Sequence, residues 1–356
     1  MDSRPTDRSP GAISPRDAVQ RFLNARKPES TSQSIESYWT RLKPWIQWCQ
    51  AQRIEHVGEL SGWDFDEYKN ARSGDGIATI TLYGEFHTLR QLTKYLVSVD
   101  AVDSDLPKKV GEMIPVVPDG EDSNDVMLEP ADALALLKHY RSSPQRASLL
   151  HTFLEIAWFT GARRAGIQGL DVQDFDYDDC ILDFRHRPET ETTLKKGSKG
   201  ERPVAIPQRV ADIIQEYIEE NRWDRHDEHG RQPLLTSMQG RPTETTITVW
   251  GYKATFPCIR TSCPHGKEPD TCDFKCHSKA SKCPSTRSPH RIRTGSITWQ
   301  HDIGFPPEVV AERVNSSPET IKKHYDKASR REKMERRRRP FVDQMDLRTS
   351  DSSGSE

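Results

Sequence analysis

Asn315-Ser316-Ser317-Pro318-Glu319-Thr320-Ile321-Lys322-Lys323-His324-Tyr325 is the stretch on which the fold of this chain turns. It ends in a tyrosine, and three basic groupings precede that tyrosine in a fixed order. The nearest is the pair His290-x-x-Arg293. Further upstream, Lys195-Lys196-Gly197-Ser198-Lys199-Gly200 reads as a turn between two apolar strands. Furthest upstream, Thr160-Gly161-Ala162-Arg163 closes an apolar helical pattern, with Gly161 suited to the helix end. Arginine, lysine, His-x-x-Arg and tyrosine in this order make a phosphate-binding set with a nucleophile at its end.

Transfer of a phosphodiester to a tyrosine needs exactly these kinds of group in three roles. An oxygen nucleophile must stand in line with the leaving oxygen. Cationic donors must hold the non-bridging oxygens, because preorganised charge at a developing oxyanion is usually the largest catalytic term. Arginine suits this best, since its planar fork binds two oxygens and keeps its charge. A proton donor must meet the leaving 5′ oxygen, and His or Lys can move protons near neutral pH. Ser288-Pro289 suits a helix start, and on that helix His290 and Arg293 share a face.

The order and spacing of these motifs resemble the tyrosine recombinases, or phage integrases. In that family a Thr-Gly-x-Arg motif holds the first catalytic arginine, which by position is Arg163 here, with Arg164 in the next, usually apolar, place. Lys196-Gly197-Ser198-Lys199-Gly200-Glu201-Arg202 is similar to the family hairpin, with one extra residue before Glu-Arg. The resemblance implies Lys196 as leaving-group acid, with Lys195 and Lys199 still open. It implies His290 and Arg293 as the next pair and Tyr325 as the nucleophile. The family's Gly-His pair before the tyrosine aligns with Asn315-Ser316, a departure at the sixth catalytic position. Either residue could donate a hydrogen bond to phosphate.

The resemblance covers about residues 15–340. It implies a mainly α fold: an all-helical N-terminal core-binding domain, then an α+β catalytic domain with a small antiparallel sheet. It implies double-stranded DNA as partner, a homo-tetramer on two DNA sites, and C-terminal segments exchanged between neighbours, with residues 327–341 the segment concerned. No nucleotide cofactor is called for. The cysteine-rich insert and the run from His324-Tyr325-Asp326 to Glu332-Lys333-Met334 resemble integrases of haloarchaea and their viruses or plasmids. Two other functions fit the same motifs: a type IB DNA topoisomerase, and a DNA-binding regulator descended from a recombinase.

Composition sets the bounds. The 356 residues favour two domains; 33% are hydrophobic and 30% charged, and the net charge is −2. Nucleic-acid affinity needs local rather than total positive charge. Here charge is segregated: Asp119 to Asp125 and Asp171 to Asp179 are acidic, while Lys195 to Lys199 and Arg330 to Arg339 are basic. Each block taken alone is an ordinary solvated surface. No apolar run reaches the ~18 residues of a membrane span, and Met1 to Pro15 has no apolar signal core, which predicts a cytoplasmic protein.

Along the chain, residues 1–14 read as a disordered tail. Residues 15–105 read as helices, with Ile35, Tyr38, Trp39, Leu42, Trp45, Ile46 and Cys49 recurring at spacings of three and four. Residues 106–127, with Pro107, Pro115, Pro118 and Gly120, read as a linker. The catalytic domain spans 128–341, with Pro130 in the first turn of a helix, strands at Ile181–Phe184 and Pro203–Ile206, and a helix from about Gln208 to Asn221. Residues 342–356 read as a second disordered tail. Within the catalytic domain an insert at 258–283 holds five of the seven cysteines. Cys258, Cys263, Cys272 and Cys283 are the preferred ligands of a structural zinc, with His265 and Cys276 as substitutes. No metal is needed for catalysis, since Arg, Lys and His supply the charge and the proton transfers.

Overall fold

The structure is a computed structural model that describes residues 9–118, 126–324, 329, 331 and 333–342. The chain divides into two compact units between Asn124 and Asp125.

The first unit is helical: α1 (Pro15–Arg26), α2 (Ser32–Ala51), α3 (Gly62–Gly74), α4 (Thr79–Ser98) and α5 (Leu106–Glu112). The apolar stripe of α2 does what its period predicts. Leu42, Trp45, Ile46 and Cys49 are buried, and Ile35, Tyr38 and Trp39 pack beside them. Thr31 is the cap, its hydroxyl accepting the Ser34 N–H at 3.2 Å. Leu82, Phe86, Leu89, Leu92 and Leu96 of α4 face the same core, where Trp45 stacks on Phe65. Each such side chain contributes ~1.5–3 kcal/mol on burial.

Two expectations are corrected here. Residues 106–112 are not linker but α5, with Leu106 and Val110 in the core. Pro107 stands in the first turn, where a missing N–H costs nothing, so it starts a helix rather than breaking one. Residues 9–14 are likewise ordered: Ile13 packs on the core, its carbonyl accepts the Val57 N–H at 2.9 Å, and Ser14 caps α1. Residues 1–8 and 343–356, where the tails were otherwise expected, lie outside the described residues, as does the acidic run 119–125.

The second unit contains α6 (Pro130–Arg141), α7 (Leu149–Thr160), α8 (Arg164–Gly169), β1 (Phe175–Asp176), β2 (Ile181–Phe184), β3 (Arg202–Ala205), α9 (Gln208–Glu216), α10 (Glu244–Ala254), α11 (Pro289–Asp302), α12 (Pro307–Arg313) and α13 (Pro318–His324). α7 runs through the core, buried from His151 to Thr160, with its Glu155 carboxylate held by Arg141 at 2.7 Å and His151 at 3.0 Å. Helices α6, α9, α10 and α11 surround it. Phe153→Ala in this helix should cost ~3–5 kcal/mol, because the helices around it cannot collapse into the space. The sheet is antiparallel in the order β1-β2-β3, with Leu182 opposite Val204 and Phe184 opposite Arg202. The fold is therefore mainly α with a small antiparallel sheet, as the sequence implies. α9 continues through Tyr217–Asn221 as a wider helical turn, so the expected helix length holds. After α13, Arg336 and Arg337 pair with Asp302 at the end of α11, at 3.0 and 2.9 Å.

Candidate active site

The site forms where α7 ends. Gly161 adopts a left-handed φ of 59°, and a Cβ there would lie 2.9 Å from Val314 Cγ1 and 3.2 Å from Ser296 Oγ. The chain can turn this tightly against the α12–α13 connection only because glycine has no side chain. Arg163 follows in extended conformation as the residue before α8. Its guanidinium donates to the Asn315 carbonyl. Arg164 turns away to the Glu244 carboxylate and to Thr248 Oγ1 at 3.0 Å. That is how a basic residue fits where the family usually has an apolar one.

Arg293, in the second turn of α11, is buried at 2% exposure. It donates to the Gly161 carbonyl and, at 2.8 Å, to the Val314 carbonyl. Arg163 and Arg293 thus grip adjacent carbonyls of one turn, Val314-Asn315, which leads directly into α13. That helix runs to His324, the residue before Tyr325. Tyr325 itself lies outside the described residues.

His290 stands one helical turn before Arg293. Its pKa is lowered, first by loss of hydration and then by the charges of Arg293, Arg291, Arg163 and Lys195. The residue keeps a solvent-exposed face, so the dehydration is partial. The structure therefore brings Arg163, His290, Arg293 and the lysine hairpin to one place. Ser288 occupies the cap position of α11 but makes no side-chain capping bond, contrary to expectation. Lys195, Lys196 and Lys199 are all exposed, and Lys196 carries a left-handed φ of 81°. Nothing in the fold selects one of the three.

Two further arginines belong to the site and were not singled out from sequence. Arg202 stacks on the Phe184 ring at 4.5 Å and donates to the carbonyls of Arg313, at 2.7 Å, and Gly200, at 3.0 Å. Burial, then Arg293, Arg163 and Arg313, push its pKa down to about 10. Arg313 spans Gln300 Oε1, the Ala205 carbonyl and the Phe159 carbonyl. Neither arginine has an ion pair among the described residues. The signal for Arg202 was its place in the Glu-Arg step after the hairpin lysines; Arg313 carries none.

The departure at Asn315-Ser316 also acquires a shape. Asn315 has a φ of 52°, the left-handed conformation that a glycine would take there and that asparagine tolerates best among other residues. Its amide donates to the Lys195 carbonyl at 2.9 Å. The Ser316 hydroxyl is buried with no hydrogen-bond partner among the described residues.

The cysteine insert is less gathered. Cys283 packs with Phe256 and Ala280, and Cys258 lies against them. Burial raises the Cys258 pKa, Lys275 opposes it, and Cys263 and Cys283 add to it. Cys276 is exposed near Ser278. Among the described residues no group of three or more His, Cys, Asp or Glu side chains could hold a metal ion. As placed, Cys258, Cys263, Cys272 and Cys283 do not form a zinc site.

No protein-family model and no curated protein matches the chain. Solved structures do. The integrase of the Tn1549 transposon, solved with a circular-intermediate DNA, is 14% identical with a TM-score of 0.65, over 93% of this chain and 99% of that one. A lambda integrase dimer bound to a COC′ core site is 11% identical with a TM-score of 0.57, over 89% and 78%. The N-terminal domain of a phage integrase/site-specific recombinase from Haloarcula marismortui is 40% identical over 29% of this chain and 97% of that one, with a TM-score of 0.28. The fold is that of the tyrosine recombinases. Among the described residues no helix is long and apolar enough to cross a membrane.

Proposed function

We propose that this chain is a site-specific DNA recombinase that cuts and rejoins duplex DNA through a 3′-phosphotyrosyl intermediate, in the integration or excision of a mobile element. The observation that carries this is the meeting of Arg163, Arg202, Arg293, Arg313 and His290 around the turn that leads into α13. Tyr325 Oη attacks the phosphorus and gives up its proton to His290. The P–O5′ bond breaks as the P–O(Tyr) bond forms. Arg163 and Arg293 hold the two non-bridging oxygens, and Lys196 protonates the leaving 5′ oxygen. The new ester keeps the energy of the old one, so rejoining needs no ATP. Ser316 is the donor at the sixth position, its buried hydroxyl having no partner among the described residues.

Double-stranded DNA is the partner in this reading, and the related lambda integrase is known as a tetramer bound to a Holliday junction. A homo-tetramer on two sites, with exchange of the segment 327–341, follows by analogy. So does the haloarchaeal type, which rests on the resemblance of the insert and of the residues flanking Tyr325. A nicked suicide duplex tests the reading: Tyr325→Phe should keep DNA binding and lose the covalent adduct. A normal adduct yield in that variant would falsify the assignment. Relaxation of supercoiled DNA without recombination at a defined site would instead favour a topoisomerase, and binding without any adduct a regulator.

A structural zinc on Cys258, Cys263, Cys272 and Cys283 remains a proposal from their spacing, with the ion drawing the ligands together as it binds. About one zinc per purified chain and a lower melting temperature after chelation are expected. Metal-free protein with unchanged melting overturns it.

A further inference from the structure

We infer that Asn315 is a positioning residue that latches the lysine hairpin to the arginine site, and so sets where the leaving-group acid stands. This rests on the recombinase reading for its catalytic meaning, though not for its geometry. Asn315 faces both ways. Its backbone carbonyl accepts the Arg163 guanidinium, while its side-chain amide donates to the Lys195 carbonyl at 2.9 Å. Lys195 immediately precedes Lys196, whose left-handed φ of 81° begins the tight turn Gly197–Gly200. One residue therefore joins the phosphate-binding arginine to the backbone that carries the proton donor.

The lysines themselves are exposed, and the hairpin around them is held at its ends. Leu194 packs in the core with its N–H on His186 Nδ1 at 3.0 Å, Glu201 accepts the His186 N–H at 2.9 Å, and Arg202 binds the Gly200 carbonyl at 3.0 Å, so Asn315 is the tie at Lys195 itself. Gly200 closes over the latch. A Cβ there would lie 2.5 Å from Asn315 Nδ2 and 2.8 Å from the Lys195 carbonyl oxygen. Such distances cannot be relieved without moving one of the two bonded groups. The glycine that the family motif resembled here would have at 315 could supply the turn and the carbonyl but not the amide. The asparagine therefore adds a tie without disturbing the conformation.

Asn315→Gly removes only the tie, because glycine accepts φ 52° freely. On an ordinary phosphodiester suicide substrate, cleavage should slow by on the order of 10-fold or more, within the ~10²–10⁴ that a positioned proton donor supplies. A substrate with sulfur at the scissile 5′ bridging position leaves as a thiolate and needs no proton. On it Asn315→Gly and Lys196→Ala should both cleave near the wild-type rate, while Arg163→Ala stays slow. Equal slowing of Asn315→Gly on both substrates overturns the inference, as does wild-type cleavage on both.

A second measurement needs no DNA. Trypsin should nick after Lys195 or Lys196 several-fold faster in Asn315→Gly than in the wild type, and Gly200→Ala should do the same. Unchanged nicking in both variants means no latch. Faster nicking in a protein whose wild type forms no adduct keeps the latch and ends the recombinase reading instead.

Discussion

The second unit holds two clusters of mostly half-buried arginines, and they meet different groups. In the first, Asp171 takes Arg231 at 2.7 Å and Arg241 at 2.5 Å, Asp174 takes Arg187 at 2.5 Å, and Asp227 takes Arg241 at 2.7 Å. Here each guanidinium meets a carboxylate, and both Asp171 and Asp174 are buried. In the second, beside Arg163 and Arg293, Arg202 bonds to main-chain carbonyls and Arg313 to carbonyls and an amide, with no ion pair for either among the described residues. A carbonyl fixes a guanidinium in place without cancelling its charge. The first cluster is thus neutralised and structural. In the second, Arg202 and Arg313 are oriented but keep their charge, as the lowered pKa of Arg202 reflects. The residue type is the same in both; the facing group decides the role.

The largest expected effects fall on the second cluster. Arg163→Ala and Arg293→Ala should each slow adduct formation by at least ~100-fold, measured per folded molecule, as loss of an oxyanion donor does. A wild-type rate in either variant removes that arginine from the site. Next comes the first cluster. Asp171→Asn keeps the shape and removes the charge that Arg231 and Arg241 face. It should cost ~3–5 kcal/mol in denaturant unfolding, with cleavage per folded molecule unchanged. A cleavage defect beyond the folding defect would erase the distinction between the clusters.

The smallest effect is the pH dependence from His290. Its folded-state pKa lies below the ordinary value, so the fold favours the neutral imidazole. The associated stability is fully present above the unfolded-state pKa, roughly 6.5, and is lost as pH falls toward the folded one. His290→Gln should flatten this part of the acid-side decline in urea midpoint. An identical slope in the variant would mean that the neighbouring cations do not reach the ring.

What the sequence revealed follows the range of its signals. The α2 stripe and the strand Ile181–Phe184 were legible because period and composition are local. Arg163, His290 and Arg293 were legible as motifs, and the fold brings them to one turn. The block Asp171 to Asp179 was read as solvated surface. Asp171 and Asp174 are instead buried, because their arginines come from residues 187, 231 and 241, which no local reading connects to them. Arg202 and Arg313 were missed for the same reason: burial beside other arginines is a tertiary fact. Asn315 looked like a loss relative to glycine until its positive φ made the two equivalent in backbone terms.

The crowding around Arg202 has a thermodynamic consequence. Its pKa falls because burial and three neighbouring guanidinium groups oppose its charge, yet at neutral pH it remains protonated. The free protein therefore folds against a repulsion that a bound phosphodiester would relieve. An anion with affinity for the folded site alone shifts the folding equilibrium by mass action. Occupancy of this arginine site by an anion and resistance to unfolding are then one linked quantity, and the protein is less stable when the site is empty.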